Sequence, residues 1–330
     1  MKLGSVSILG SILFAVLAAT AQAQQAAQTG PGTFPTKPVR VVVPFPAGGV
    51  LDRLTRTLGQ KLNETWGQPV IVDNKPGAGT VIGTDAVAHA AADGHTLLMM
   101  AVSFVINPSL RAKLPYAIDR DFAPVMQIAS TPNVLVVNNT VPATDLQQLI
   151  ALAKARPGQL AFASIGAGTP QHLAGEQLKQ VAKVDLIHVP YQGGGPVVTA
   201  LLAGQVAMTI VNLAEVQSYI DSGRMRMLAV ATARRVEGYP NVPTMAEAGV
   251  PGFDSTSWFG LVAPAGTPPA VIEKIHADIG RILQMPDVKA SLKAQGLAII
   301  GDSPEQFGAF MKKERDSYAQ VIKAGNIQVD

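Results

Sequence analysis

Apolar positions along this chain fall into a repeating order of short β-branched runs and helically spaced leucines. Val39-Arg40-Val41-Val42-Val43 is apolar with little alternation, the form of a parallel strand covered on both faces. It ends at Pro44-Phe45-Pro46-Ala47-Gly48-Gly49, a stretch suited to tight turns, and Leu51, Leu54 and Leu58 follow at helical spacing. Strand, glycine-rich loop and helix open a βαβ unit. The unit recurs. Val70-Ile71-Val72 leads through Asp73-Asn74-Lys75-Pro76-Gly77-Ala78-Gly79 to a helical run over 81–92, and Thr96-Leu97-Leu98-Met99-Met100 reads as a third strand. Val134-Leu135-Val136-Val137 reads as a fourth, before a helix over 145–155 with Thr144 as its N-cap. Leu160-Ala161-Phe162-Ala163 and Leu186-Ile187-His188-Val189 each precede a glycine-rich loop and a helix, the first over 171–179 and the second ending near Leu202. Strands alternating with helices predict an α/β fold with largely parallel sheets.

The pattern breaks twice. Thr, Pro and Asn interrupt it near 131–139, and a second break lies near 253–260. Two lobes follow from this reading. One is discontinuous, residues 37–133 and 256–330, with C-terminal helices over about 269–283 and 304–323 packing back on it. The other is residues 134–255.

The N-terminus changes the picture of compartment. Lys2 precedes an apolar run over 8–19, and Ala21-Gln22-Ala23 supplies a small-x-small pattern. This predicts a signal peptide over 1–23 with cleavage near Ala23, export to the periplasm, and a flexible leader over 24–36. The apolar run is too short to span a bilayer. There is no cysteine, which excludes disulfides, thiolate metal sites and a lipid-anchored cysteine. Net charge is +3 without clustering of Lys and Arg, so no nucleic-acid partner is expected.

Candidate chemistry sits in four loops between strand and helix: 45–49, 77–80, 164–169 and 191–195. Ligands of α/β sheets bind where such loops gather, and helix N-termini there present unpaired N–H groups that suit an anion. The P-loop pattern is missing, and Gly77-Ala78-Gly79 with Gly83 only loosely resembles a dinucleotide fingerprint. Phe162-Ala163-Ser164-Ile165-Gly166 lacks the first glycine of a nucleophile elbow, and no Asp is placed to orient His172. The five histidines show no ligand-like spacing. No metal and no cofactor is expected. Asp52 and Arg56 are one helical turn apart and read as an ion pair, with an anion contact from Arg56 as the alternative. Trp258 and Phe259 read as core or lobe-interface residues, or as a stacking platform.

Taken in order, the motifs resemble the substrate-binding proteins of tripartite tricarboxylate transporters, the Bug-type receptors. The resemblance runs from about Pro38 to the C-terminus. It rests on Val43-Pro44-Phe45-Pro46-Ala47-Gly48-Gly49 with Asp52 and Arg56, on Asp73-Asn74-Lys75-Pro76-Gly77-Ala78-Gly79 with Gly83, and on Asp93-Gly94-His95-Thr96-Leu97-Leu98. Ser164-x-Gly166-x-Gly168-Thr169 with His172, Val189-Pro190-Tyr191-Gln192-Gly193 and Ala263-Pro264-Ala265-Gly266-Thr267-Pro268 extend it. The resemblance implies a two-lobed, type II-like periplasmic-binding-protein fold that closes on a small carboxylate, a non-enzymatic role, a monomer, and integral-membrane transporter subunits as partners. It implies ligand contacts from Phe45, Ala47, Gly48, Gly49, Gly79, Thr80 and Ser103 in the first lobe. From the second it implies Ser164, Gly168, Thr169, His172, Tyr191 and Gly193. Where the family carries small, hydroxyl, amide or acidic residues, this chain has Val50, Leu51, Thr80-Val81 and Ala207. A less hydrophilic ligand than citrate or an acidic amino acid is therefore expected, such as an aromatic or short aliphatic carboxylate. The alternatives are a secreted hydrolase using Ser164 and His172, and a ligand sensor on the same fold.

Overall fold

The computed structural model describes residues 34–325 and 327; the expected signal peptide and most of the expected leader lie outside them. Phe34, within the expected leader, is buried with its ring against Trp66 (5.7 Å between centroids) and His95 (4.9 Å).

The first lobe opens with β1 (Val39–Val43), α1 (Val50–Trp66), β2 (Val70–Asn74), a 3₁₀ turn (Ala78–Thr80), α2 (Val81–Ala88), β3 (Thr96–Ala101), α3 (Ser103–Leu110) and α4 (Ile118–Asp121). Strand β4 (Phe122–Asn138) leads into the second lobe, with α5 (Leu146–Ala155), β5 (Ala161–Ser164), α6 (Pro170–Ala182), β6 (Ile187–Pro190), α7 (Gly194–Leu202), β7 (Met208–Asn212), α8 (Leu213–Asp221) and β8 (Met225–Val230). Strand β9 (Thr256–Pro264) returns to the first, which ends in α9 (Pro269–Gln284), α10 (Pro286–Ala294), β10 (Ala298–Ile299) and α11 (Pro304–Gly325). Helix α5 begins one residue later than the sequence suggested. Asp145, not Thr144, is its N-cap and accepts from the Gln148 N–H at 2.8 Å.

The strands run in the order β2-β1-β3-β9-β4-β7-β5-β6, with β8 and β10 also paired to β4. Strand β4 carries both sheets. Its residues 122–132 pair antiparallel with β9, and from Asn133 it pairs with β7 and β8. Pro132, opposite Thr256, stands at the change of partners. The β1, β2 and β3 ladders are parallel, as are β5 with β6 and β7.

The unalternating strands have two covered faces. Val39, Val41 and Val43 join one apolar cluster with α1 and α9, whereas Val42 joins another with α3 and α11. Leu97 and Met99 divide from Leu98 and Met100 in the same way. In the second lobe Leu135 and Val137 face one cluster, and Val134 and Val136 the opposite one. Trp258 belongs to the first lobe's core: it stacks edge-on with Phe307 and Phe310, and its Nε1 donates to Glu314 at 2.9 Å.

A buried polar knot ties the crossing strands together. Gln171 Nε2, at the start of α6, donates to Asn212 Oδ1 (2.8 Å), Ser257 Oγ (3.1 Å) and Asn133 Oδ1 (3.2 Å). Asn133 in turn donates to Ser255 Oγ at 2.7 Å. Losing Gln171 would strand acceptors in the interior, at about 1–3 kcal/mol for each group left unpaired.

Candidate functional site

Parallel strands followed by helices place the helix N-termini at one end of each sheet, and in this molecule those ends face one another. Between them lies a cleft lined by both lobes, the kind of place where small molecules bind. The β1–α1 loop contributes Phe45, Pro46, Ala47 and Gly49, followed by Val50 and Leu51. Ala101, Val102 and Ser103 come from the β3–α3 junction. The second lobe contributes Ile165, Pro170 and Gln171 around the start of α6, Gln192 to Pro196 before and within α7, and Asn212 and Glu215 where β7 runs into α8. Ser257 and Phe259 close the wall from β9. Five helices therefore start at this cavity, and their first N–H groups favour a negatively charged guest.

Of the residues the sequence pointed to, Phe45, Ala47, Gly49, Ser103 and Gly193 line the cavity. Gly48 lies beside them but is spent on its own helix. Its N–H donates to Asp52 Oδ2 (2.9 Å), and its carbonyl accepts from Arg53 (2.7 Å). Asp52 pairs with Arg56 at 3.0 Å. Burial raises the Asp52 carboxyl, but the bonds from Arg56, Gly48 and Asn74 outweigh it and hold the group below the usual carboxylate range.

The remaining candidates are engaged elsewhere. Gly79 and Thr80 are held by Asn107, whose Nδ2 donates to the Gly79 carbonyl (2.9 Å) and to Thr80 Oγ1 (3.1 Å). Ser164 is fully buried, and its Oγ meets His188 Nε2 at 2.7 Å, not His172. Thr169 caps α6 and donates to the Gly166 carbonyl at 2.7 Å, and the Gly168 N–H donates to His172 Nδ1 at 3.3 Å. The Tyr191 N–H donates to the Ser164 carbonyl at 2.9 Å. His172 stacks on His188 with ring centroids 4.0 Å apart. Burial lowers both imidazoles, His188 to about 4. Among the described residues no carboxylate hydrogen-bonds either ring, so Ser164 and its neighbours do not form a Ser/His/acid set.

Sequence reasoning missed Glu215, Gln171, Gln192, Asn212 and Ser257. The signal for Glu215 was present, as an acid in the first turn after an apolar strand. Its partner could not be read, for it lies in the other lobe. Glu215 Oε1 accepts from the Val50 N–H at the start of α1 (2.9 Å), and its other oxygen lies 3.7 Å from Arg53 Nη2. Arg53 also donates to the Ala214 carbonyl at 3.2 Å. Burial pushes the Glu215 carboxyl up, and Val50 and Arg53 offset only part of that. Gln171 Oε1 is buried without a hydrogen-bond partner among the described residues, on a side chain that lines the cavity.

Residues 54–327 match the family described as the tripartite tricarboxylate transporter family receptor. The chain belongs to that family. It is 41% identical over 302 residues to Protein BugT of Bordetella pertussis, covering 90% of this chain and 92% of BugT. An R. palustris protein solved with adipate superposes with a TM-score of 0.86 at 33% identity, covering 89% of this chain and 99% of that one. MatC from Rhodopseudomonas palustris with bound malate superposes with a TM-score of 0.82 at 32% identity, covering 88% and 100%. The architecture is accordingly the two-lobed fold of Bug-type solute-binding receptors. No helix among the described residues is long and apolar enough to cross a membrane.

Proposed function

We propose that this family member is a periplasmic receptor that captures a small, weakly polar organic carboxylate and delivers it to membrane subunits of a tripartite tricarboxylate-type transporter. The observation that carries the reading is the interlobe cavity, where five helix N-termini meet a wall rich in Phe45, Val102, Ile165 and Phe259. Backbone N–H groups suit the carboxylate, and the apolar wall suits the rest of the ligand. Relatives of the same fold solved with adipate and malate support an acid as the guest. The charged n-region, the apolar run and Ala21-Gln22-Ala23 support export.

The lobes in this reading are residues 37–133 with 256–330, and 134–255. The exchange of partners along β4 and the return through β9 support that division. They close as one unit around the ligand, as a monomer, and the closed form is what the transporter engages. The role is capture without chemistry.

The test is a thermal-shift screen of refolded, ligand-free protein against a panel of carboxylates. A saturable rise in melting temperature with one acid, following the free ligand concentration, is the expected result. A flat response across the panel would discard the carboxylate reading. Turnover of a bound acid, lost in Ser164→Ala, would replace capture with catalysis.

A further inference from the structure

The carboxylate of Glu215 sits where an anionic ligand would be expected to sit. Helix α1 begins at Val50, whose N–H has no partner within the helix and is occupied by Glu215 Oε1 from the facing lobe. On the other side, Gly194 opens α7, and a Cβ placed there would fall 2.4 Å from the Glu215 carboxyl carbon. A glycine is therefore required for this carboxylate to lie between the two helix starts. The Glu215 side chain is only 7% exposed. Arg53, the nearest cation, is already engaged by the Gly48 and Ala214 carbonyls as well as by Glu215.

The cavity's side chains carry one acid and no Lys, Arg or His. A ligand with one carboxylate can use the N–H groups at the starts of α3 and α7, whereas α6 opens with Pro170 and is capped by Thr169. A ligand with two would bring a third carboxylate into a largely apolar space with no side-chain cation to receive it.

We infer that Glu215 sets the charge class of the ligand: it fills the anion seat at the start of α1 from within the protein, so the cleft accepts monocarboxylates and rejects dicarboxylates. This assignment rests on the carboxylate-receptor reading above. Specificity here comes from a built-in repulsion as much as from contacts to the right guest.

The experiment uses acids matched in shape and differing by one carboxylate, hexanoate with adipate and benzoate with terephthalate. Each is titrated calorimetrically at pH 8 into the refolded exported chain and into Glu215→Gln, which keeps an oxygen for the Val50 N–H. The unaltered protein should prefer the monoacid of a pair by about tenfold or more, and Glu215→Gln should shift the diacid-to-monoacid affinity ratio toward the diacid by about tenfold or more. Glu215→Ser provides the second variant, and melting curves confirm that each is folded. A diacid preference in the unaltered protein, or a ratio unchanged in both variants, overturns the assignment while the receptor reading stands. If neither the unaltered protein nor the variants bind any carboxylate, the receptor reading fails and takes the assignment with it.

Discussion

The β1–α1 and β6–α7 loops line the cavity, whereas the β2–α2 and β5–α6 loops, built from the same glycine-rich vocabulary, mostly turn away from it. Phe45, Pro46 and Ala47 present their surfaces to the cleft, and so do Gly193, Gly194 and Gly195. The second pair spends its polar groups at home. Asn107 holds Gly79 and Thr80, Thr169 holds the Gly166 carbonyl, and Ser164 is turned to His188. These loops also meet each other: a Cβ on Gly79 would lie 3.3 Å from the Ala167 carbonyl of the facing lobe. One pair thus shapes the chamber and the other seats the two lobes together. A glycine at a strand end says that backbone comes close to something, and the surrounding donors and acceptors decide to what.

The sharpest way to break this comparison is to fill the chamber from a lining loop. Gly195 has open space around its Cβ position, so Gly195→Trp should fold normally yet lower affinity for the screened acid by about a hundredfold, about 2.7 kcal/mol. Calorimetric titration reads the affinity, and a melting temperature within about 2 °C of the parent shows that the fold is intact. Unchanged affinity would remove that loop from the site.

Gly79 probes the seating pair. It holds φ +61, and a Cβ would lie 2.7 Å from the Arg111 guanidinium. Gly79→Val should cost about 2 kcal/mol in chemical denaturation, from left-handed strain together with crowding. Full stability in that variant would mean that the loop is not held as tightly as its contacts imply.

His188 sharpens the comparison through pH. Its folded value of about 4 lies below the ordinary imidazole value of 6.5. As pH falls below 6.5 the unfolded chain takes up a proton that the folded chain refuses. Stability is therefore complete above about 6.5 and is lost on the way down to about 4. The full shift is worth about 3 kcal/mol, which solvent around the half-buried ring reduces to about 1–2 kcal/mol. His188→Gln should flatten that part of the denaturation profile; an unchanged slope would assign the loss to other groups.

The smallest effect belongs to Arg56, on the outer side of α1. Its side chain is 53% exposed and pairs with Asp52, so Arg56→Ala should cost under about 1 kcal/mol and leave ligand affinity within about twofold. A larger drop in affinity would make Arg56 an anion contact.

Strands β1 and β3 were legible because both faces of the sheet are covered there, so their side chains need no polar alternation. Strand β2, the edge strand with Ile71 half exposed, was legible from its β-branched run. The first half of β4 was not. Pro124 and Pro132, with Gln127, Ser130 and Thr131 between, argue against a long strand in any local reading. The strand forms because β9 pairs along it, with irregular register between Pro124 and Met126 and between Gln127 and Ala129. Trp258 and Phe259 show the same limit. They are adjacent on β9, so they face opposite sides of the sheet: Trp258 enters the core with Phe307, and Phe259 reaches the cavity wall.

What the sequence determined by itself was the alternation of strand and helix, and with it the loops where unpaired N–H groups gather. Those follow from side-chain periodicity and turn chemistry, which act over a few residues. What only the tertiary structure decided was which of those groups already had partners. Ser164 finds His188 across 24 residues, and the Val50 N–H finds Glu215 across 165. A hydrogen bond is satisfied by whatever lies within about 3 Å, and distance along the chain does not set that neighbour. The packing of two lobes does.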